Sequence, residues 1–285
     1  MRKNPVASAD LRAAFGRPGE LRVVAAFLAV LAAVLYAWWP RSGLAWHVRT
    51  ATPPQTFAAV SIALFLLTGW VNARAGAGER SGSSVRVGSG ERAADPAMAE
   101  EATLADLVAL TPVSAASAVS GRLVAGLLVV LFQLGLAAPF LVVALGVSGL
   151  GVSVLPAVAV VVATAGMAWR AAAIALRLAL PEHPILRDVL LIVTSAAWLA
   201  VTYFAAPSVN PIAALVGLAR GERRTLGAAG ASLPFFAVSA TIAVLVIAAA
   251  GVASWTALRA ASAAARKRTA EPEKAHGKGG TGPRE

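Results

Sequence analysis

Five stretches of this chain carry no charged side chain: residues 23–40, 50–73, 123–169, 189–219 and 225–258. A helix needs about 20 apolar residues to cross the hydrocarbon core of a bilayer. The run at 123–169 is long enough for two such helices, joined by the Gly/Ser-rich GVSGLGVS at 146–153. Each of the other four holds one. The expected fold is therefore an all-α membrane protein with six transmembrane helices, at about 22–39, 55–73, 123–147, 152–175, 187–206 and 233–258. Composition excludes an ordinary soluble domain: 58% of the 285 residues are hydrophobic and only 14% are charged.

The net charge of +11 would suit a nucleic-acid partner, but its distribution argues for topology instead. With six spans and both ends on one side, that side carries 20 of the Lys and Arg residues and the other carries five. This is the positive-inside pattern, and it places both termini in the cytoplasm of a plasma-membrane protein. The basic excess then meets anionic lipid rather than nucleic acid. There is no cysteine, so disulfides are excluded. The first span ends at Trp38-Trp39-Pro40, which lacks a small-residue cleavage site and reads as an interfacial anchor.

The chain divides into a cytosolic leader (1–22), a six-span domain (23–258) and a basic tail (259–285) expected to be disordered. In the leader, Ser8 or Asp10 can cap a short interfacial helix. Its apolar side holds Leu11, Ala14 and Phe15, and Arg12 and Arg17 face water or lipid phosphate. The alternative is an unstructured basic leader. The second span carries Ser61, Thr68 and Asn72 and is expected to face protein. Residues 74–102 are a Gly/Ser/Ala-rich cytosolic linker. Their GERSGSS lacks the Gly-Lys-Ser/Thr ending of a phosphate loop. In the third span Gln133 is the one strongly polar residue, and Pro139 suggests a kink. Arg170 and Arg177, seven apart, share a helix face and can snorkel to headgroups. Ile212–Ala219 is apolar but short. It is either a small helix dipping into the outer leaflet or part of an exterior loop spanning 207–232.

Just before the third span lies a small amphipathic segment, 103–113. Thr103 and Asp106 have capping-box spacing, and Leu104, Leu107, Val108 and Leu110 fall on one side of a helix. Thr111-Pro112 suits a new helix start, with Thr as N-cap and Pro first inside. The segment either eases entry into the bilayer or touches a cytosolic partner.

Chemistry is sparse. His47, His183 and His276 are far apart, which argues against a metal site. No acidic residue lies deep in a span, which argues against an ion-coupled carrier and against intramembrane acid–base catalysis. No catalytic motif and no cofactor of its own are expected.

Three passages resemble the permease subunits of type-2 ATP-binding-cassette (ABC) exporters. One is Asn4-Pro5-Val6 with Asp10-Leu11-Arg12, similar to the family's N-P-V-x-x-x-E-L-R start. The second is LADLVALTPVSAASAVSGRL at 104–123, similar to L-x-L-L-L-x-T-P-[VL]-S followed by G-K-L, with Arg122 for Lys. The third is Asn210-Pro211-Ile212-Ala213-Ala214-Leu215, similar to N-P-[LF]-x-A-L. The resemblance implies an exporter permease that works as a homo- or heterodimer with cytosolic ATPase subunits, which bind the ATP. It assigns coupling to that ATPase to Leu104, Asp106, Leu107, Leu110, Thr111, Pro112 and Ser114. It makes residues 5–18 an interfacial gate helix. The linker departs from the family, which has a Pro and a Glu-Arg pair after the second span, then Gly-Thr before the Leu run. Gly78-Glu79-Arg80 and Thr103 are partial matches. A non-transporting membrane scaffold of the same fold is the alternative, and a secondary transporter is a more distant one. An uncharged interior fits an apolar, amphipathic or lipid-linked cargo better than a small ion.

Overall fold

The computed structural model describes residues 6–8, 11, 18–39, 55–77, 113–180, 183–221, 225–228 and 231–270. Among the described residues, after helical positions 6–8 and 11 in the leader, seven helices follow one another: α1 (Pro18–Ala37), α2 (Gln55–Ala77), α3 (Ala115–Ser148), α4 (Leu155–Ala179), α5 (Pro184–Ala205), α6 (Pro211–Ala219) and α7 (Phe235–Ala270). Single 3-10 turns at Val152–Val154 and Pro207–Val209 precede α4 and α6. Between α6 and α7, β1 (Thr225–Ala228) and β2 (Ala231–Pro234) form a small antiparallel hairpin, with Thr225 opposite Pro234 and Ala228 opposite Ala231. Neither strand alternates apolar with polar residues, so the sequence reads there only as loop.

Among the described residues five helical segments are long and apolar enough to cross a membrane: Gln55–Ala75, Ala115–Ser148, Val152–Ala179, Ile185–Ala205 and Phe235–Ala264. The architecture is that of a multi-pass helical membrane protein. The apolar part of α1, Leu21–Ala37, is shorter at 17 residues. It packs along α2 and α3 with Phe27 and Leu31 buried.

Local chemistry explains most helix ends, and it shifts several expected boundaries. The third span starts at Ala115, not Leu123, and its cap is Ser114 rather than Thr111. The Ser114 side chain accepts from Ser117 N at 3.1 Å, satisfying one orphan donor of the first turn. Eight further residues thereby join the helix below its apolar run. At the far end Gly149 is left-handed, with φ of 67°. Leu150 N donates to Leu145 O and Gly149 N to Gly146 O, the paired bonds of a Schellman stop. Pro139 lies inside continuous helix. Pro184 and Pro211 occupy first turns, where no N–H is needed.

The expected disordered tail begins too early. Helix α7 continues through Ala270, so residues 259–270 are helical. Its 36 residues span about 54 Å, well beyond a hydrocarbon core of about 30 Å. Arg259 stacks over Trp255 at 5.6 Å, an amphipathic pair of the kind found where a helix leaves lipid.

The helices alternate in direction. One end of the bundle gathers Ala118, Val119 and Leu258, with Val6, Val113, Leu123 and Leu178 against them. At the other end Thr56 Oγ1 donates to Trp38 O at 2.7 Å, and Phe57 N donates to Ser148 Oγ at 3.3 Å. The main core lies toward this second end and is built from Phe57, Leu64, Leu141, Val158, Val162 and Leu215, with their neighbours.

Candidate functional site: a polar seam inside the bundle

Helix α2 carries Ser61, Thr68 and Asn72 at spacings of seven and four, which puts all three on one face. That face points into protein, and all three residues are completely buried. The expectation that this span faces protein is met. Across from it, α3 supplies Gln133, also buried. Asn72 Nδ2 donates to Gln133 Oε1 at 3.1 Å and to Thr68 O at 2.9 Å. Two buried side-chain amides, 61 positions apart, thus tie α2 to α3. Each span's amide was visible in the sequence. Their pairing was not, because the helix phase of each span fixes it.

The third wall is α4, and glycines let it approach closely. A Cβ at Gly166 would sit 3.0 Å from Thr68 Cγ2 and 3.3 Å from Val130 Cγ2. A Cβ at Gly69 would overlap the indole of Trp169, which packs on Phe65 with ring centroids 5.2 Å apart. One turn on from Gly166, Arg170 fills the space that Gly126 leaves on α3. Its Nε donates to Arg122 O at 3.0 Å. Arg170 is only 4% exposed, so it does not snorkel to headgroups as its spacing from Arg177 suggested. The missing side chain at Gly126 and the carbonyl of Arg122 offer it a nearer partner within the protein.

Three polar atoms of the seam are buried with no hydrogen-bond partner: Ser61 Oγ, Thr68 Oγ1 and Asn72 Oδ1. Arg122 Nε and Ser254 Oγ share that condition elsewhere. The seam holds no carboxylate or imidazole, so its hydroxyls have no base to activate them. Among the described residues no group of three or more His, Asp or Glu could hold a metal. The arrangement can accept and donate hydrogen bonds to neutral groups.

A second polar point is Asn210, fully buried where α5 turns into α6. Its Oδ1 accepts from Ile212 N and Ala213 N at 2.8 and 3.0 Å, capping α6. Its Nδ2 donates to Leu199 O and Thr202 Oγ1, both at 2.7 Å, anchoring α5. Of the two expectations for 207–232, the structure has the short helix, but α6 is packed into the bundle, with Leu215 and Ala219 fully buried. Beside it lies a cleft of about 500 Å³ lined by Leu150, Val154, Pro156, Val160, Leu218 and Phe236, none of them ionisable.

Of the residues expected to couple to an ATPase, Leu104, Asp106, Leu107, Leu110, Thr111 and Pro112 lie outside the described residues. Ser114 is described, as the cap of α3. Of the expected interfacial helix, Leu11 is helical and half-buried, whereas Arg12 and Phe15 lie outside the described residues. Comparison of the chain with protein-family models, with curated proteins and with solved structures finds no match.

Proposed function

We propose that this chain is the membrane-spanning permease subunit of an ABC exporter, moving cargo outward across the plasma membrane. ATP is hydrolysed by a separate cytosolic subunit, and two permeases pair. The observation that carries this reading is the apolar knot at one end of the bundle. There the capped start of α3 packs with Val6 of the leader, Leu178 of α4 and Leu258 of α7. The amphipathic segment 103–113 runs directly into that start. A displacement applied to the segment would reach three long helices and the leader through contacts already made. A switch needs such a rigid element, whose equilibrium a ligand can bias. The three passages similar to exporter permeases supply the partner's identity, and the excess of Lys and Arg supplies the orientation.

The test is co-purification of the ATPase from detergent extracts at matched membrane abundance. If Leu104, Leu107 and Leu110 sit in an ATPase groove, Leu107→Arg buries an unpaired charge there. That costs several kcal/mol, of order 3 to 5, and weakens docking more than a hundredfold. Loss of ATPase and transport with normal insertion is the expected result. Unchanged co-purification and transport defeat the reading, because an Arg on a helix that merely rests on lipid can snorkel. The Gly/Ser-rich linker at 74–102 favours a second reading, a non-transporting scaffold. That reading requires ATPase binding without transport.

A further inference from the structure

We propose that the seam between α2 and α4 is the closed form of a water-accessible path. It takes neutral hydrogen-bonding groups, hydroxyl or amide, rather than cations. This deepens the permease reading and rests on it only for the direction of cargo movement.

The first argument is the orientation of the hydroxyls. A threonine within a membrane helix ordinarily donates to a carbonyl one turn back. Thr164, Thr194, Thr202 and Thr241 all do so here, at 2.6–2.8 Å. Thr68 and Ser61 do not. Their oxygens are buried in the α2 interface without a partner, together with Asn72 Oδ1. Buried polar groups left unmade are costly in the absence of water, so the closed seam is poorer in hydrogen bonds than a hydrated one.

The second argument is extent. Ser61 to Asn72 covers about 16 Å of helix, over half of the roughly 30 Å hydrocarbon thickness. Gln133 faces Asn72, and Arg170 lies near the seam's end. The third is how the seam closes. The Trp169 indole of α4 sits in the hollow that Gly69 leaves on α2, and Gly166 lets Thr68 and Val130 approach, so α4 parts from α2 by moving Trp169 off Gly69. The ligand class follows from the lining: hydroxyls and amides, no carboxylate, and a buried cation toward one end.

The chain has no cysteine, so single substitutions report without background. The full chain in lipid vesicles is labelled with hydroxyethyl methanethiosulfonate at Ser61→Cys, Thr68→Cys, the buried apolar neighbour Leu64→Cys and the outward-facing Leu66→Cys. Only a hydrated thiol ionises to the reactive thiolate, so Ser61→Cys and Thr68→Cys should react about tenfold or more faster than the other two. Equal rates at all four positions overturn the proposal. At Thr68→Cys the trimethylammonium reagent, normalised to its rate with free thiol, should react more slowly than the neutral one. Equal or faster reaction overturns the ligand class. Ser61→Ala and Thr68→Val provide a check free of labelling. Neither should lower the melting temperature, and a fall would mean that the hydroxyls are paired and the seam is permanently closed. Adding the ATPase and nucleotide separates this proposal from the permease reading. Fast seam labelling that ignores nucleotide supports the path and counts against the permease.

Discussion

The membrane-crossing parts of α2 and α5 are each 21 residues long and have equal mean hydropathy, yet half of an apolar 18-residue stretch is buried within the protein in α2 and only 11% in α5. The two are mirror images in outline. On α2 the outward-facing residues from the middle onward form a narrow stripe, Leu66, Trp70 and Arg74. On α5 the buried ones do, Arg187, Leu191 and Thr202. Hydropathy decides that a helix enters the bilayer, but not which of its neighbours are lipid and which are protein. Small and polar residues decide that, because lipid supplies no hydrophobic drive for one helix to prefer another. Helix α2 offers Gly69 for close approach and Asn72 for an interhelical bond. Helix α5 offers Ile185, Val193 and Phe204 to the outside, packs Leu191 on Ala173 of α4, and accepts from Asn210 through Thr202 and Leu199.

The sharpest way to break this contrast is to add bulk to both helices. Gly69→Val must displace the Trp169 indole, and overpacking of this kind costs about 3 kcal/mol. Ala197→Val, on the exposed side of α5, should stay within about 0.5 kcal/mol of wild type. Unfolding in mild detergent under increasing denaturant measures both. Equal destabilisation would mean that α5 is packed as tightly as α2.

Much of this organisation was legible in the chain. Ser61, Thr68 and Asn72 marked α2 as the protein-facing span, because polar residues in a membrane helix seek partners. Uncharged runs marked six spans; among the described residues five helices are long and apolar enough to cross a membrane, and Leu21–Ala37 is shorter. Helix ends were harder, since capping depends on backbone geometry over a few residues. Thr111-Pro112 and Ser114 are both chemically able to start a helix, and the structure uses Ser114. The extension of α7 past Leu258 was hidden because Ala-rich, charged sequence suits a helix and a soluble tail equally well. Arg170 was misjudged for a different reason. Its spacing from Arg177 is local information, whereas the space left by Gly126 belongs to a helix 44 positions earlier.

The next effect concerns how α5 is held. Asn210→Ala removes the α6 cap and both bonds to α5, a loss of about 2–3 kcal/mol. Asn210→Asp keeps the cap and loses only the donors, so it should fall between. Amide exchange should rise at the Leu199–Ala205 end of α5 while α2 stays protected. Exchange rising equally in α2 would show that the two helices are held by one cooperative unit.

Within the seam, the amide pair calls for a double-mutant cycle. Asn72→Leu and Gln133→Leu each strand the other amide. The double variant removes both, so it should lose less than the sum of the two. The coupling expected of an interhelical bond within a membrane protein is about 1 kcal/mol. Strict additivity would mean that the 3.1 Å contact contributes nothing in lipid.

The smallest effect is the most diagnostic for α5. Thr194 is exposed, and its hydroxyl is already occupied by its own helix, donating to Leu190 O at 2.6 Å. Valine keeps the branched shape and surrenders only that local bond. Apolar surface offered to lipid offsets it, so Thr194→Val should change stability by less than about 0.5 kcal/mol. The measurement is the same denaturant titration, repeated at two protein-to-detergent ratios. A loss above about 1 kcal/mol would place Thr194 against a polar partner outside this chain, because its own helix leaves nothing else to lose. If that loss appeared only at the higher protein ratio, the outer face of α5 would be covered by a second copy rather than by lipid. The contrast with α2 would then be one between burial within a chain and burial between chains.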